Sequence, residues 1–320
     1  MMSAPAMAPD AAVDVNARRN TRPRFLGMVR GELYKLARLR LNWMMLGALA
    51  VLVALPYLAF LATPGAKEAL QSEPGTFLYE EMNAVLALLR VFSGLVLLIM
   101  TARAIGMEYQ HGTIRVLLAR GVGRLQLLAA KLLALALVAL TMVVGAVLLN
   151  AVLLMLIVKS LTGSLSVLHA LSPGYWQDAR TYLLTVLVSM GVTILLAAAL
   201  TVVGRSPAFG LALGLAWFPA DNIGDGVMFL IHGFTQNEFW LKITGYFLGP
   251  NLNQMPVALL TPATLSAATT ADGPPPLPVS LGAGPLVDVT GQHTLIVALV
   301  YAVIFAAVAI ALTWWRDVTE

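Results

Sequence analysis

Long apolar segments without charge constrain this chain most. Residues 132–158 form an uncharged run of 27, and residues 181–204 and 294–315 form runs of 24 and 22. A helix that crosses a membrane needs roughly 20 mostly apolar residues. Charged residues make up 11% of the chain, against about 25% in a soluble domain. A soluble fold could not bury this much apolar surface, so the sequence predicts a membrane protein.

Three further segments bring the predicted number of transmembrane helices to six. The runs have helical length and lack the alternation of a barrel strand, which indicates an all-α fold. The fifth is the least regular, because Asp221 and Asp225 interrupt it and Pro219 favours a kink or an early end, followed by a partly re-entrant segment. The predicted spans are residues 43–61, 83–104, 131–158, 181–204, 207–231 and 294–315.

The placement of Lys and Arg predicts the orientation in the membrane. With the N-terminus inside, fifteen basic residues fall on the cytoplasmic side and four on the outer side, while Arg90 lies within the second span. Short cytoplasmic segments of membrane proteins carry this excess of positive charge. We therefore expect a multi-pass protein of the cell (plasma) membrane with both termini in the cytoplasm, and a six-span domain that covers residues 41–317.

The segments that flank the spans differ in character. Residues 1–24 lack the apolar stretch of a signal peptide and are predicted to be a disordered cytoplasmic tail, and residues 318–320 form the cytoplasmic C-terminus. Residues 25–40 have apolar side chains at helical spacing, including Leu26 and Val29, which predicts an amphipathic helix in the cytoplasmic interface. A basic linker beside the membrane is the alternative. This segment should enter the first span at a bend.

A large outer segment, residues 232–292, separates the fifth and sixth spans. It contains "ADGPPPLPVSLGAGP", which cannot form a regular helix. The aromatic stretch ahead of it predicts one or two short helices resting on the outer leaflet.

The sequence lacks the motifs of several enzyme classes. It contains no G-x-x-x-x-G-K-[ST], no H-E-x-x-H, no G-x-S-x-G and no cysteine. Glu108 and His111 are three residues apart, but two ligands do not make a metal site. We therefore predict no catalytic residue, no metal site and no cofactor bound by this chain.

Three charged residues within the predicted spans are candidates for lining a transport pathway. Arg90 lies about 10 Å along the second span at 1.5 Å per residue, where it either pairs or snorkels outward, or faces a cavity. Asp221 and Asp225 are one helical turn apart near the outer boundary. They form either a polar helix end or a contact for an ion or a substrate.

The loop between the second and third spans is unusually polar for this chain. Thr113 is a natural N-cap after Gly112, residues 114–120 can form two helical turns, and Gly121 can close them. A short helix there would present an apolar knob ringed by charge, which favours contact with a protein. Contact with anionic lipid is the alternative. The apolar side chains on one side are Ile114, Leu117 and Leu118.

This loop resembles the signature region of permease subunits of type-2 ABC exporters. That family has a Glu after the second span, then Gly-Thr, a Leu-Leu pair, an Arg and a Lys that opens the third span. "RGELYKLARLR" is similar to the family's N-terminal elbow helix, with Glu32 and Lys35 at the expected places, but Val122 stands where the family often has Pro. The matching loop residues are Glu108, Gly112, Thr113, Leu117, Leu118, Arg124 and Lys131.

The resemblance implies the membrane half of an ATP-driven exporter. Its partners would be a separate ABC ATPase subunit in two copies, which holds ATP and Mg, and a second permease subunit in a homodimer or heterodimer. The loop would be a coupling helix that docks on the ATPase, with Glu108 holding the fold of the loop by pairing with Arg103 or Arg124. A secondary transporter driven by an ion gradient and, less favoured, an intramembrane enzyme are the alternatives. The implied coupling residues are Glu108, Gly112, Thr113, Ile114, Leu117, Leu118 and Arg124.

Overall fold

The computed structural model describes residues 24–114, 116, 121–260 and 284–315, and these ranges contain helices, turns and irregular segments but no β-strand. The predictions for the N-terminal tail before Arg24, for the proline-rich residues 261–283 and for the C-terminal residues 316–320 concern residues outside this description. The helices are α1 Phe25–Arg38, α2 Arg40–Ala62, α3 Ala66–Ser72, α4 Pro74–Gln110, α5 Arg124–Thr162, a 3₁₀ helix Ser166–Ala170, α6 Pro173–Gly204, α7 Pro207–Thr235, α8 Phe239–Thr244, α9 Leu248–Leu259 and α10 Gly291–Trp315.

Five of these helices, α2, α4, α5, α6 and α10, are long and apolar enough to cross a membrane. The chain is therefore an all-helical, multi-pass membrane protein. The helices extend past the apolar runs at several ends, because polar residues at a membrane surface can continue a helix. Helix α7 has 29 residues, which is a sufficient length, but Asp221 and Asp225 make its second half less apolar.

Helix α7 does not end early. It runs unbroken from Pro207 to Thr235 with Pro219 inside it. The sequence predicted a kink or an early end there, followed by a partly re-entrant segment, so the predicted early end and re-entrant segment are wrong. An internal proline removes one backbone donor without stopping the helix. The continuation is stabilised by neighbours: Asn222 Nδ2 donates to the Phe218 carbonyl at 2.9 Å, and Asp221 contacts α9.

Helices α4 and α6 form the centre of the bundle. Leu89 and Leu97 of α4 and Val186 and Leu196 of α6 have no exposed surface. Helices α2 and α10 are peripheral, and most of their apolar side chains face outward, where lipid would cover them.

Helix α1 packs one face on the bundle and is separated from α2 by Leu39, whose backbone is extended. The buried face consists of Val29, Glu32 and Leu36. Leu26, which the sequence placed on this face, is 76% exposed. It lies three residues before Val29, at the edge of the arc that the contact with α5 covers.

Helix α9 is inserted between spans rather than laid on the outer surface. Its residues Leu248, Asn251 and Met255 have no exposed surface, and it packs against α6, α7 and α10. The two short outer helices that the sequence predicts are present as α8 and α9, but for α9 the expected surface position is wrong. Contacts with the spans, described below, hold it inside.

Candidate functional site

Four charged side chains from three helices meet where α4 and α5 approach the connecting loop, residues 111–123. Helix α1 contributes Glu32 and Lys35, three residues apart and hence on neighbouring positions of its surface. Glu108 lies in the last turn of α4, and Lys131 lies two turns into α5. We refer to these four residues as the charged junction.

Lys131 is the centre of the charged junction. Its Nζ donates to Glu32 Oε2 at 2.8 Å, to Glu108 Oε1 at 2.8 Å and to the Ala104 carbonyl at 2.9 Å. An ammonium group has three donors, and all three are used. Because these acceptors lie on α1 and α4 while Lys131 lies on α5, one side chain links three helices.

Lys35 closes the network from the exposed side. Its Nζ lies 2.7 Å from Glu32 Oε1 and 3.1 Å from Glu108 Oε1. Each carboxylate therefore faces two ammonium groups, and the four charges sum to zero. Lys131 is only 4% exposed, whereas the side chain of Lys35 is 54% exposed. The network is buried on one side and open to solvent on the other.

The pKa values of Glu32 and Lys35 are shifted by their surroundings in the junction. Burial raises the pKa of Glu32, but the charges and hydrogen bonds of Lys131 and Lys35 outweigh burial and hold this pKa below its usual value of 4.5. Burial lowers the pKa of Lys35, but the hydrogen bond to Glu32 and the charge of Glu108 outweigh it and raise this pKa above 10.5. Both groups therefore stay ionised at neutral pH.

The loop that follows Glu108 is closed by two glycines with positive φ, Gly112 at 64° and Gly121 at 80°. Residues 113, 114 and 116 are helical, so Thr113 is the first helical residue and the N-cap position falls on Gly112, one residue before the predicted N-cap Thr113. Thr113 Oγ1 donates to the Glu108 carbonyl at 3.5 Å. The loop is thus attached directly to the end of α4.

The apolar side chains of the loop do not all face outward. Ile114 is 7% exposed and packs inside the chain, whereas Val116 is 53% exposed. Ile114 therefore belongs to the base of the loop rather than to an exposed knob. Arg124 is the first residue of α5. Leu117 and Leu118 lie outside the described residues.

Glu108 has partners that the sequence analysis had not connected to it. The expected partners were Arg103 and Arg124, and the structure brings Lys35 and Lys131 to Glu108 from sequence distances of 73 and 23 residues. The role expected for Glu108, holding the fold at the end of the second span, agrees with this geometry.

The C-terminal end of α4, which carries Glu108, also contacts the start of α7. A Cβ atom added at Gly106 would lie 2.4 Å from the Pro207 nitrogen and 2.6 Å from its Cα, well inside van der Waals contact. Further along, Gly210 approaches Thr201 of α6 and Gly214 approaches Leu98 of α4 just as closely. Small residues thus let α7 lie directly against the two central helices.

Arg90 lies buried in the centre of the bundle, 4% exposed. Its guanidinium donates to the carbonyl of Leu252 in α9. Arg90 therefore anchors the inserted outer helix to α4, which satisfies one of its donors away from water.

Asp221 and Asp225 both lie on α7 near α9. Asp221 Oδ2 accepts the Gly249 N–H at 2.7 Å, at the start of α9. Asp225 is 3% exposed, and neither of its oxygens has a hydrogen-bond partner among the described residues. The structure thus separates the two acids: Asp221 holds α9, and Asp225 is a buried acid for which the described residues supply no donor.

A second buried polar contact was missed in the sequence. Glu81 of α4 accepts the hydroxyl of Tyr57 of α2, which also donates to Asn150 Oδ1 of α5 at 2.8 Å. Glu81 is 6% exposed. It lies just before the apolar run of the second span, and its burial follows from the length of α4, which begins at Pro74 and so includes it.

The sequence of this chain matches the family described as ABC-2 family transporter protein over residues 28–219. The match covers more than half of the chain and includes α1, the charged junction and the loop, so the chain belongs to this family of transporter permeases. Membership implies an ABC system with a partner ATPase. No curated protein matches the chain.

Proposed function

We propose that this chain is the permease subunit of an ATP-driven ABC exporter. A separate ABC ATPase in two copies binds ATP and Mg and hydrolyses the nucleotide, and two permease subunits, alike or different, enclose the path of the substrate. Family membership supports this proposal. The lack of a P-loop motif in the sequence is consistent with an ATPase on another chain and with a permease that is not itself an enzyme.

In this proposal α7 is the fifth of six spans and both termini are cytoplasmic. The 29 residues of α7 extend about 43 Å at 1.5 Å per residue, which exceeds the roughly 30 Å of a hydrocarbon core. The fifteen basic residues on one side and four on the other support the orientation. Helix α1 then lies in the cytoplasmic interface of the cell membrane.

The charged junction is the observation that best supports a coupling role for the loop. The loop is bounded by α4 and α5, and Lys131 ties these two helices to each other and to α1 by contacts of 2.8 Å and 2.9 Å. A force on the loop therefore moves three helices together instead of bending the connection. Rigid elements of this kind can carry movement from one site to another.

The Gly106–Pro207 contact gives this movement a route into the fifth span. Because a Cβ at residue 106 would already overlap Pro207, α4 cannot shift toward α7 without displacing it. We infer that closure of the ATPase pushes on the loop, moves α4 through the charged junction, and shifts α7 through this contact.

The surface that meets the ATPase is the solvent-exposed face of the loop, which points away from the helix bundle. Val116 is exposed there, and Leu117 and Leu118 follow it directly in the sequence. The other proposed coupling residues lie at the two ends of the loop, next to α4 and α5. They are Glu108, Gly112, Thr113, Ile114 and Arg124. An apolar knob of this size fits a groove in a partner protein better than it fits water.

The proposal is tested by co-expression with an ABC ATPase encoded beside this chain. We expect the two proteins to co-purify in detergent and the complex to hydrolyse ATP. A variant with residues 112–121 replaced by a Gly-Ser linker of equal length should insert into the membrane but lose the ATPase. Equal recovery of the ATPase with this variant would contradict the proposal.

A further inference from the structure

Trp217, Asp221 and Asp225 lie on one face of α7. Their spacing of four residues places successive side chains above one another. Trp217 packs edge to face against Tyr301 and Phe305 of α10, with ring centroids 6.4 and 5.6 Å apart. Since Asp221 binds the start of α9, this face points into the seam between α7, α9 and α10.

The two carboxylates in this seam are short of partners. Asp225 is 3% exposed with both oxygens unbonded among the described residues, and Asp221 uses one oxygen on the Gly249 N–H. A carboxylate taken out of water without a donor or an opposite charge is strongly unfavourable. The neighbouring acid adds repulsion at this spacing. The seam therefore holds negative charge that the contacts described here do not balance.

Few basic side chains of this protein lie near the seam between α7, α9 and α10. In the described part of the chain no ion pair joins Asp221 or Asp225 to a basic side chain. Lys242 is exposed on α8, and His293 contacts the Gly245 carbonyl at 2.7 Å. Residues 261–283 of the outer segment contain no Lys, Arg or His. No basic side chain among the described residues balances these acids, so either a proton or a cation from another molecule has to do so.

The neighbours of the two acids favour an organic cation over a metal ion. Aromatic faces attract ammonium-like cations, with Trp as the best partner, and Trp217 and Tyr301 form part of the seam. Hard metal ions need about six oxygen ligands. The described residues contain no group of three or more His, Cys, Asp or Glu side chains placed to hold a metal.

The depth of the seam fits a lipophilic ligand. Asp225 lies about 27 Å along α7 from Pro207 at 1.5 Å per residue, close to the outer edge of a hydrocarbon core about 30 Å thick. Asp221 is only half-buried, so the acids are not fully sealed. Both acids also lie beyond residues 28–219, the segment that matches the family.

We propose that Trp217, Asp221 and Asp225 bind the positively charged group of a lipophilic organic cation, and that such cations are the substrate class of this exporter. The carboxylates balance the charge, and the indole ring packs against the substituents. The transport half of this inference rests on the proposed function, whereas binding requires the permease alone.

The test is equilibrium binding of radiolabelled tetraphenylphosphonium to the purified permease in phosphatidylcholine nanodiscs, with empty nanodiscs subtracted. Tetraphenylborate has nearly the same size and the opposite charge and serves as the matched ligand. We expect saturable binding of the cation by the wild type. Asp225→Asn should weaken it by about tenfold or more, and Trp217→Leu by about threefold. Binding of tetraphenylborate should not weaken in Asp225→Asn.

Glu238→Gln is the matched control variant, because Glu238 is an exposed acid in the same outer region. It should bind the cation as the wild type does. The proposal is overturned if the wild type shows no saturable binding, if Asp225→Asn and Trp217→Leu bind as tightly as the wild type, or if Glu238→Gln weakens binding equally. Recovery of the ATPase is measured separately, so loss of that interaction would refute the proposed function and leave the binding result standing.

Discussion

Glu32 and Glu108 at the loop end of the bundle are each paired with two lysines, whereas Asp225 at the other end of α7 has no partner among the described residues. The two regions use buried charge differently. Paired charges fix the relative positions of three helices. An unpaired charge does not restrain the helices in this way, and it is available to bind a ligand of opposite charge.

The two regions also differ in where they lie relative to the family match, which spans residues 28–219. The charged junction lies within residues 28–219, which match the ABC-2 transporter family, and Asp225 lies outside them. In the proposals above, the junction serves coupling and the seam around Asp225 serves binding of the substrate. The comparison yields predictions of opposite sign for stability.

The largest expected effect is that of Lys131→Met. This change keeps most of the side-chain volume but leaves Glu32 and Glu108 facing each other without the central ammonium. Removing one partner of a buried ion pair costs about 3–5 kcal/mol, so the thermal unfolding midpoint in detergent should fall clearly. Lys159→Met on the exposed side of the same helix is the control and should change little. Equal unfolding midpoints for the two variants would contradict the claim that the charged junction stabilises the fold.

Gly106→Ala should have the next largest effect. The new Cβ would overlap the Pro207 backbone, and overpacking of this kind costs about 1–3 kcal/mol. We expect a lower unfolding midpoint and a reduced ATPase rate in the complex. Gly145→Ala is the matched control in a helix, because a Cβ at residue 145 meets nothing within 4 Å. If both variants behave as the wild type, α4 and α7 are not in tight contact.

Asp225→Asn should not destabilise the protein, in contrast to Lys131→Met. The amide has nearly the same shape as the carboxylate and removes a buried charge that has no partner among the described residues. The unfolding midpoint should stay equal or rise. The corresponding gain in the free energy of unfolding is about 1–2 kcal/mol at most. A fall as large as that of Lys131→Met would show that Asp225 is a structural ion-pair partner.

The part of the molecule that could be predicted follows from local signals. Runs such as residues 132–158 identify a membrane helix because their length and lack of charge are properties of consecutive residues. The bend between α1 and α2 at Leu39 and the turns at Gly112 and Gly121 were also predictable from neighbouring residues. In the structure Leu39 is extended and both glycines have positive φ.

The remaining features depend on contacts between distant residues. Glu32 and Lys131 are 99 residues apart, and nothing in either local sequence specifies the other as its partner. The burial of α9 depends on the contact between Arg90 and Leu252 across 162 residues. A surface helix of the same composition would have looked identical in the sequence.

The smallest effect concerns pH. The pKa of Glu32 is lowered in the folded protein, so its contribution to stability is fully present above its unfolded value near 4.5 and is lost as pH falls through the lower folded value. The pKa of Lys35 is raised, so its contribution is lost only well above pH 10.5. The part of the unfolding midpoint that Glu32 contributes should be constant above about pH 6 and be lost below pH 4.5. Glu32→Gln should reduce the acid slope.

The coupling role of the loop is tested most directly by comparing Leu117→Asp with Arg115→Ala in the complex with the ATPase. Burying a leucine side chain in a partner groove contributes about 1.5–3 kcal/mol, whereas a rim arginine contributes about 0–1 kcal/mol. Recovery of the ATPase and its hydrolysis rate are measured after membrane insertion of each variant is verified. We predict that Leu117→Asp loses the ATPase or its stimulation and that Arg115→Ala retains both. Full binding and stimulation with Leu117→Asp, together with their loss in Arg115→Ala, would contradict the coupling account and indicate an electrostatic contact of the loop with lipid or a regulator.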